Sequence, residues 1–198
     1  MIIISRVALK KSKDILILTL RQFISNEENY RDFINDESDK SQTELIEEFK
    51  SMNIYDSTPE ALLSYPYVII SGGSGQMSSA GLGGDFATEL YDSVNGELIG
   101  YRHGGYYDGL SLNVEVGALK KAEQEILNDL ISTALRLNLR RKLESQGVLV
   151  KSIQNNGETS IQYDSRLLYT STLQLSIFTE WYEDIMLLPG EEIKINKK

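Results

Sequence analysis

The pentapeptide Ser71-Gly72-Gly73-Ser74-Gly75 follows the apolar run Tyr67-Val68-Ile69-Ile70, where a phosphate-binding loop would stand. A phosphate loop of the Walker type needs Lys-Ser or Lys-Thr after its last glycine, because the lysine reaches the phosphates. Neither pair is present here. The dinucleotide spacing G-x-G-x-x-G fails as well: Ser78 stands three residues after Gly75, and Phe86 three after Gly83. The glycine-rich tract 71–86 therefore reads as a surface loop.

Acidic residues make the second candidate. Asp85, Glu89, Asp92, Glu97, Asp108 and Glu115 cluster in sequence, and Glu192-Ile193-Lys194 has a Glu-x-Lys spacing found in metal-dependent nucleases. Six acids in an acidic chain make a weak metal signal, and Glu192 falls near the charged chain end rather than on a core strand. Cysteine is absent, so thiolate ligands and thiol nucleophiles are excluded. The one histidine, His103, sits in Tyr101-Arg102-His103-Gly104-Gly105-Tyr106-Tyr107, and is expected where a strand enters a loop. A lone histidine makes a His-based metal cage or proton relay hard to build. The tyrosines beside it suit a protein interface, where tyrosine is enriched. Lys120, Lys121, Arg136, Arg140, Arg141 and Lys142 alternate with acids along one predicted helix, the pattern of a solvated face. No catalytic, cofactor-binding or metal residue is assigned, no cofactor is expected, and an enzyme is not.

Charge narrows the partners. Twenty basic and 29 acidic residues among 198 give a net charge of −9, opposite in sign to a non-specific nucleic-acid binder. No apolar run approaches the ~20 residues of a membrane helix. Met1-Ile2-Ile3-Ile4 precedes Arg6, Lys10, Lys11 and Lys13, the reverse of a secretory signal, so a cytoplasmic location at synthesis is expected.

The elements that would carry these residues follow from periodicity. A helix is expected over 5–24, with Leu9, Leu16, Leu20 and Phe23 on one face and Lys10, Lys11 and Lys13 mostly off it. Residues 26–40 read as a loop or frayed helix. Ser41-Gln42-Thr43-Glu44 is a capping box opening a second helix with Leu45, Phe49 and Met52. Thr58-Pro59-Glu60 looks like a third helix start. After the strand 67–70, Asn95-Gly96 signals a hairpin between strands near 88–94 and 97–103. Leu110–Val116 alternates strictly, as a half-buried strand does. Residues 120–146 contain no Gly or Pro and read as one long helix with Gly147 as its C′ residue. Val148–Gln154 follows as a strand, Asn156-Gly157 as a second hairpin signal into 159–163, and Leu167–Thr179 as a long alternating strand. The fold class is therefore α+β: a mainly antiparallel sheet with a long helix on one face. A helical N-terminal extension is expected over 1–58, the α+β domain over 59–189, and a charged flexible tail over 190–198.

Set in order, the strand YPYVIIS (65–71), the hairpin NGELIGYRHGG (95–105), the strand LSLNVEVGA (110–118), the helix EILNDLISTALRLNLRRKLESQGV (125–148) and the strand end IFTEWYEDI (177–185) form a recognisable layout. Over about residues 65–185 it resembles the tail terminator (tail completion or neck) proteins of long-tailed bacteriophages. The resemblance rests on strand and helix pattern, not on a catalytic signature. It implies an α/β subunit with helices on one face of a sheet, copies of which form a homo-oligomeric ring of hexameric type. Such a ring caps the tail tube, stops its growth and joins it to the head–neck connector protein, with DNA passing through the lumen without specific binding. The implied location is the virion, at the tail and neck. Alternatives are another connector ring (stopper or adaptor), or an enzyme using nucleotide or metal through 71–115. If the ring reading holds, apolar patches are expected along the long helix and on the strand 167–179.

Overall fold

The computed structural model describes residues 2–6, 8–35, 40–56, 64–73, 76–78, 86–163 and 166–187. In chain order the elements are β1 (Ile2–Arg6), α1 (Ala8–Ser25), two 3-10 turns (Glu27–Asn29 and Arg31–Phe33), α2 (Gln42–Ser51), β2 (Asn53–Asp56), β3 (Tyr67–Gly72), β4 (Gln76–Ser78), β5 (Phe86–Tyr91), β6 (Leu98–Ala118), α3 (Lys121–Thr133), a π turn (Ala134–Asn138), α4 (Leu139–Glu144), β7 (Val148–Tyr163) and β8 (Arg166–Met186).

Among the described residues all eight strands belong to one sheet, and only the β2–β3 pair is parallel. Its axis is the antiparallel pair β6–β8, which runs from Gly100↔Met186 to Ala118↔Tyr169 with one register shift. One edge of β6 is covered in turn by β3, β4 and β5, all antiparallel to it. The outer edge of β8 takes β7 at one end and β1 at the other. The α+β class and the mainly antiparallel sheet expected from the sequence are what the fold contains.

Helix-side residues of the central strands form the core: Leu110, Leu112, Val114 and Val116 of β6 lie beside Leu173, Leu175 and Ile177 of β8. Against them pack Leu16, Leu20 and Phe23 of α1, Leu45 and Phe49 of α2, Leu127 and Ile131 of α3, and Leu139 and Leu143 of α4, in a single apolar cluster. Burying each such leucine stabilises the fold by about 2 kcal/mol before entropy is counted. The capping box forms as expected: Ser41 N–H donates to Glu44 Oε2 at 2.8 Å, and Glu44 N–H donates to Ser41 Oγ at 3.3 Å.

Several expectations need correction. Residues 1–58 are no separate helical extension. Ile2–Arg6 pairs with β8, Asn53–Asp56 pairs with β3, and α1 and α2 share the core of the sheet. Lys13 is not off the apolar face of α1; it is 9% exposed, and its ammonium pairs with Asp56 of β2. The long helix is broken by the π turn. Leu127, Ile131, Leu135, Leu139 and Leu143 recur strictly every fourth residue and all are buried. A straight α-helix would rotate such a series by about 40° at each step, and the wider π turn takes up part of that drift. Gly147 does adopt the left-handed conformation of a C′ residue, at φ +82°.

Asn156-Gly157 makes no hairpin. β7 runs through it with a bulge between Asn155 and Glu158, and Gly157 takes φ +87° there. Residues 104–109 are no loop either, since β6 is continuous with one register shift between Tyr107 and Leu110. The first hairpin forms, but its turn spans 92–97 rather than two residues. Thr58-Pro59-Glu60 and the tail 190–198 lie outside the described residues. No helix of the described residues is long and apolar enough to cross a membrane.

Candidate functional site

The described part of the glycine tract is strand, not an anion-binding loop. Gly73 donates its backbone N–H to the Ser111 carbonyl of β6 at 2.8 Å, and Gln76–Ser78 pairs with 106–108. A Cβ on Gly73 would sit 2.0 Å from Ser111 Oγ, so a larger residue there would require the serine hydroxyl to turn away. Ser74, Gly75, Gly83 and Asp85 lie outside the described residues.

The five of those acids among the described residues are spread along the sheet and its hairpin turn, and each has its own partner. Glu115 accepts from Tyr67 OH at 2.8 Å, and Asp108 pairs with Lys151 of β7. Asp92 Oδ1 accepts from the Val94 N–H at 2.7 Å, inside the hairpin turn. Glu89 accepts from Tyr91 OH, and that bond raises the phenol pKa of Tyr91. Glu97 accepts from Asn95 Nδ2 at 3.2 Å. No group of three or more potential metal ligands gathers among the described residues. Glu192-Ile193-Lys194 lies outside them.

The basic residues of the α3–α4 segment face acids or neutral partners. Lys120 and Lys121 stand 3.7 and 3.2 Å from Glu123 and Glu125, Arg140 stands 3.0 Å from Glu144, and Lys142 donates to Gln22 of α1. Arg136 and Arg140 flank β7 at a shallow depression that includes Lys151. Arg141 is exposed.

What the sequence does not announce is an arm. The apolar core on the helix side ends at Leu110 of β6 and, on β8, at the buried Thr179 beside core residue Val148, while β6 and β8 continue to Leu98 and Met186. Seven further residues of β8 carry the sheet about 23 Å past that core. Here β5 and β1 flank the central pair in the order β5-β6-β8-β1. His103 lies mid-strand, not at a loop entrance. It is paired with Glu183 and set edge-on to Trp181 at a centroid distance of 5.5 Å. On the opposite face Tyr106 stacks on Phe178 at 4.9 Å, with Lys151 5.7 Å from the Phe178 ring. Tyr101 is half-buried opposite Ile185.

At the centre of that face Arg102 donates from Nε and a terminal nitrogen to the two carboxylate oxygens of Asp184, at 2.6 and 2.9 Å, and lies 4.0 Å above the Tyr182 ring. The hydrogen bond to Asp184 raises the guanidinium pKa further. Thr88, Leu90, Tyr106 and Glu180 complete a shallow depression of about 340 Å³ around it. The Trp181 indole N–H, on the far face, is buried without an acceptor among the described residues. Sequence reasoning singled out His103 and the tyrosines but missed Arg102, Asp184 and Tyr182. Eighty-two residues separate Arg102 from Asp184, and only the β6–β8 register joins them. The arrangement offers aromatic faces, a fixed ion pair and strand edges, on β5 and β1, with no further partner among the described residues. Those are the materials of a protein contact.

No known family model matches the chain, and no curated protein matches it. Among solved structures it is similar to a chain of the virion of a native gene transfer agent particle, at 14% identity and a TM-score of 0.30, over 80% of this chain and 94% of that one. A TM-score of 0.30 is below the level of a shared fold and assigns this chain no role.

Proposed function

We propose that this chain is a structural virion protein of the tail terminator type, which forms a ring of hexameric kind at the end of a tail tube and joins it to the neck. It acts by assembly and catalyses no reaction. Its partners are further copies of itself, the tube protein and a head–neck connector, and DNA crosses the lumen without specific contacts. The observation that carries the reading is the arm. β6 and β8 extend beyond the helix-covered core with aromatic and ion-paired faces and the edges of β5 and β1 at their flanks. Helices gathered on one face of the sheet also agree with what the sequence resemblance implies. A subunit that must touch a neighbour, a tube and a neck needs contact area outside its own core, and an extended sheet whose edges are unpaired among the described residues supplies it.

The test is the solution mass by light scattering over a range of concentrations, alone and with tail tubes, followed by electron microscopy of the mixture. A hexamer-sized mass and rings on tube ends support the reading. A monomer that leaves tube ends bare overturns it. Alanine at Asp85, Asp92 and Asp108 separates assembly from catalysis: an assembly protein keeps its rings, and an enzyme loses its activity with at least one of them.

A further inference from the structure

A groove of about 590 Å³ runs between α3 and the segment that follows α1. Phe23, Ile126 and Leu130 contribute its apolar wall, and two exposed carboxylates stand among its lining, Asp129 and Glu125, the latter also 3.2 Å from Lys121. Phe33, from the second 3-10 turn, lies in the lining with 65% of its surface uncovered, while its neighbours Tyr30 and Ile34 are fully buried. A large aromatic left open beside an apolar wall with acids is a surface built for an apolar, basic partner.

The chain itself contains such a segment. Ile193-Lys194-Ile195-Asn196-Lys197-Lys198 carries three lysines and no acid in a protein of net charge −9. In an extended conformation Ile193 and Ile195 fall on one side, with Lys194 on the other. We propose that the groove receives Ile193–Lys198 of a second copy of this chain, with the isoleucines against Phe33 and Ile126 and the lysines beside Glu125 and Asp129.

Reach sets the second copy apart from the first. The groove lies beside α3, whose Gln124 and Asn128 hydrogen-bond Ser171 of β8. The described chain ends at Leu187, whose N–H donates to the Ile99 carbonyl at the far end of the arm. From Ser171 to Met186 the path along β8 is about 50 Å. Eleven residues beyond Leu187, fully stretched, span at most about 40 Å. The segment therefore falls short of its own groove and meets that of a neighbour whose α3 lies near its arm tip. The inference needs only that two copies meet, and it does not depend on the tail reading.

A fluorescently labelled peptide of residues 188–198 tests it by anisotropy against the full chain. Saturable binding is expected, weakened at least about tenfold by Phe33→Ala and by Asp129→Lys, and likewise by aspartate at both isoleucines of the peptide. Phe33 and Asp129 are exposed, so both variants keep the core intact. Absence of saturable binding overturns the proposal. So does binding that ignores the groove substitutions, or that survives loss of the isoleucines. The mass of the full chain carrying Ile193→Asp and Ile195→Asp gives a separate reading. Reduced self-association supports the docking. A hexamer-sized mass left unchanged counts against it while leaving the ring intact.

Discussion

Tyr67 and Glu115 meet across the sheet face opposite the helices: the phenol hydroxyl donates to Glu115 Oε1 at 2.8 Å while its ring lies over the bare backbone of Gly117, its cross-strand partner. Burial first, and the Glu115 bond second, push the Tyr67 hydroxyl well above the ordinary phenol range. Ile69 and Leu168 are buried with Tyr67, and Tyr55 and Tyr65 pack against them, so this small second cluster anchors β2, β3 and β8 on the side the helices leave open.

Gly117→Ala breaks that anchor. The new Cβ would stand 2.3 Å from Tyr67 Cζ, a distance no packed pair tolerates. We expect a loss of about 1–3 kcal/mol, as for other overpacked sites. Urea unfolding measures it. In a Tyr67→Ala background the same substitution should cost far less, and additive losses would show that the ring is not what excludes the methyl group.

Arg102→Ala should loosen the arm without unfolding the protein. The guanidinium holds Asp184 through two bonds and covers Tyr182, yet its side chain is 36% exposed, so the loss in global stability is at most about 1 kcal/mol. Hydrogen exchange should rise for the amides of 98–106 and 180–186 and stay unchanged for 112–116, which belong to the helix-covered core. Equal acceleration in both regions would mean that the arm and core open together.

Alkaline pH should find Tyr30. It is fully buried and donates to the Ile24 carbonyl at 2.8 Å, and burial raises its pKa to about 12. An unfolded tyrosine ionises near pH ~10. The protonated form is thus favoured in the native state. Its contribution is fully present below about pH 10 and is lost as pH rises through about 12. Tyr30→Phe forfeits about 1 kcal/mol at neutral pH with the lost hydrogen bond. Its urea midpoint should fall less steeply than that of the parent between pH 10 and 12. Parallel slopes would show that Tyr30 is not among the groups that drive alkaline unfolding.

Local signals carried most of the elements, and non-local pairing hid the rest. Ser41 and Glu44 announced their helix because a capping box needs only four residues. The alternation of Leu110–Val116 announced its burial because one face of β6 is covered. Ile2–Arg6 gave no comparable signal: its pairing partner, 182–186, is nearly the whole chain away. Asn156-Gly157 misled because a bulge and a two-residue hairpin both call for a positive-φ glycine. His103 was expected near a loop because Gly104 and Gly105 follow it, yet both pair with β8 inside a continuous strand. The Arg102–Asp184 pair has no sequence signature, since a register of two long strands is fixed only when the whole sheet forms.

The apolar patch expected along the long helix is not found among the described residues, and on 167–179 only Leu167 is exposed, while the neighbouring strand β7 adds Leu149 and Ile161. Leu149 is 45% exposed, Ile161 53% and Leu167 46%. Leu149 pairs with Phe178 and Ile161 with Leu168, so both side chains lie on the sheet face opposite the helices, beside a strand whose outer edge has no partner among the described residues. A 16-residue strand with apolar side chains and a free edge is a site for strand addition by a neighbour. Lysine at both Leu149 and Ile161 should leave the urea midpoint nearly unchanged, because neither residue is in the core, and should lower the self-associated mass in light scattering. If the mass is unaffected, the copies meet elsewhere, and the arm strands β5 and β1 are the next edges to charge.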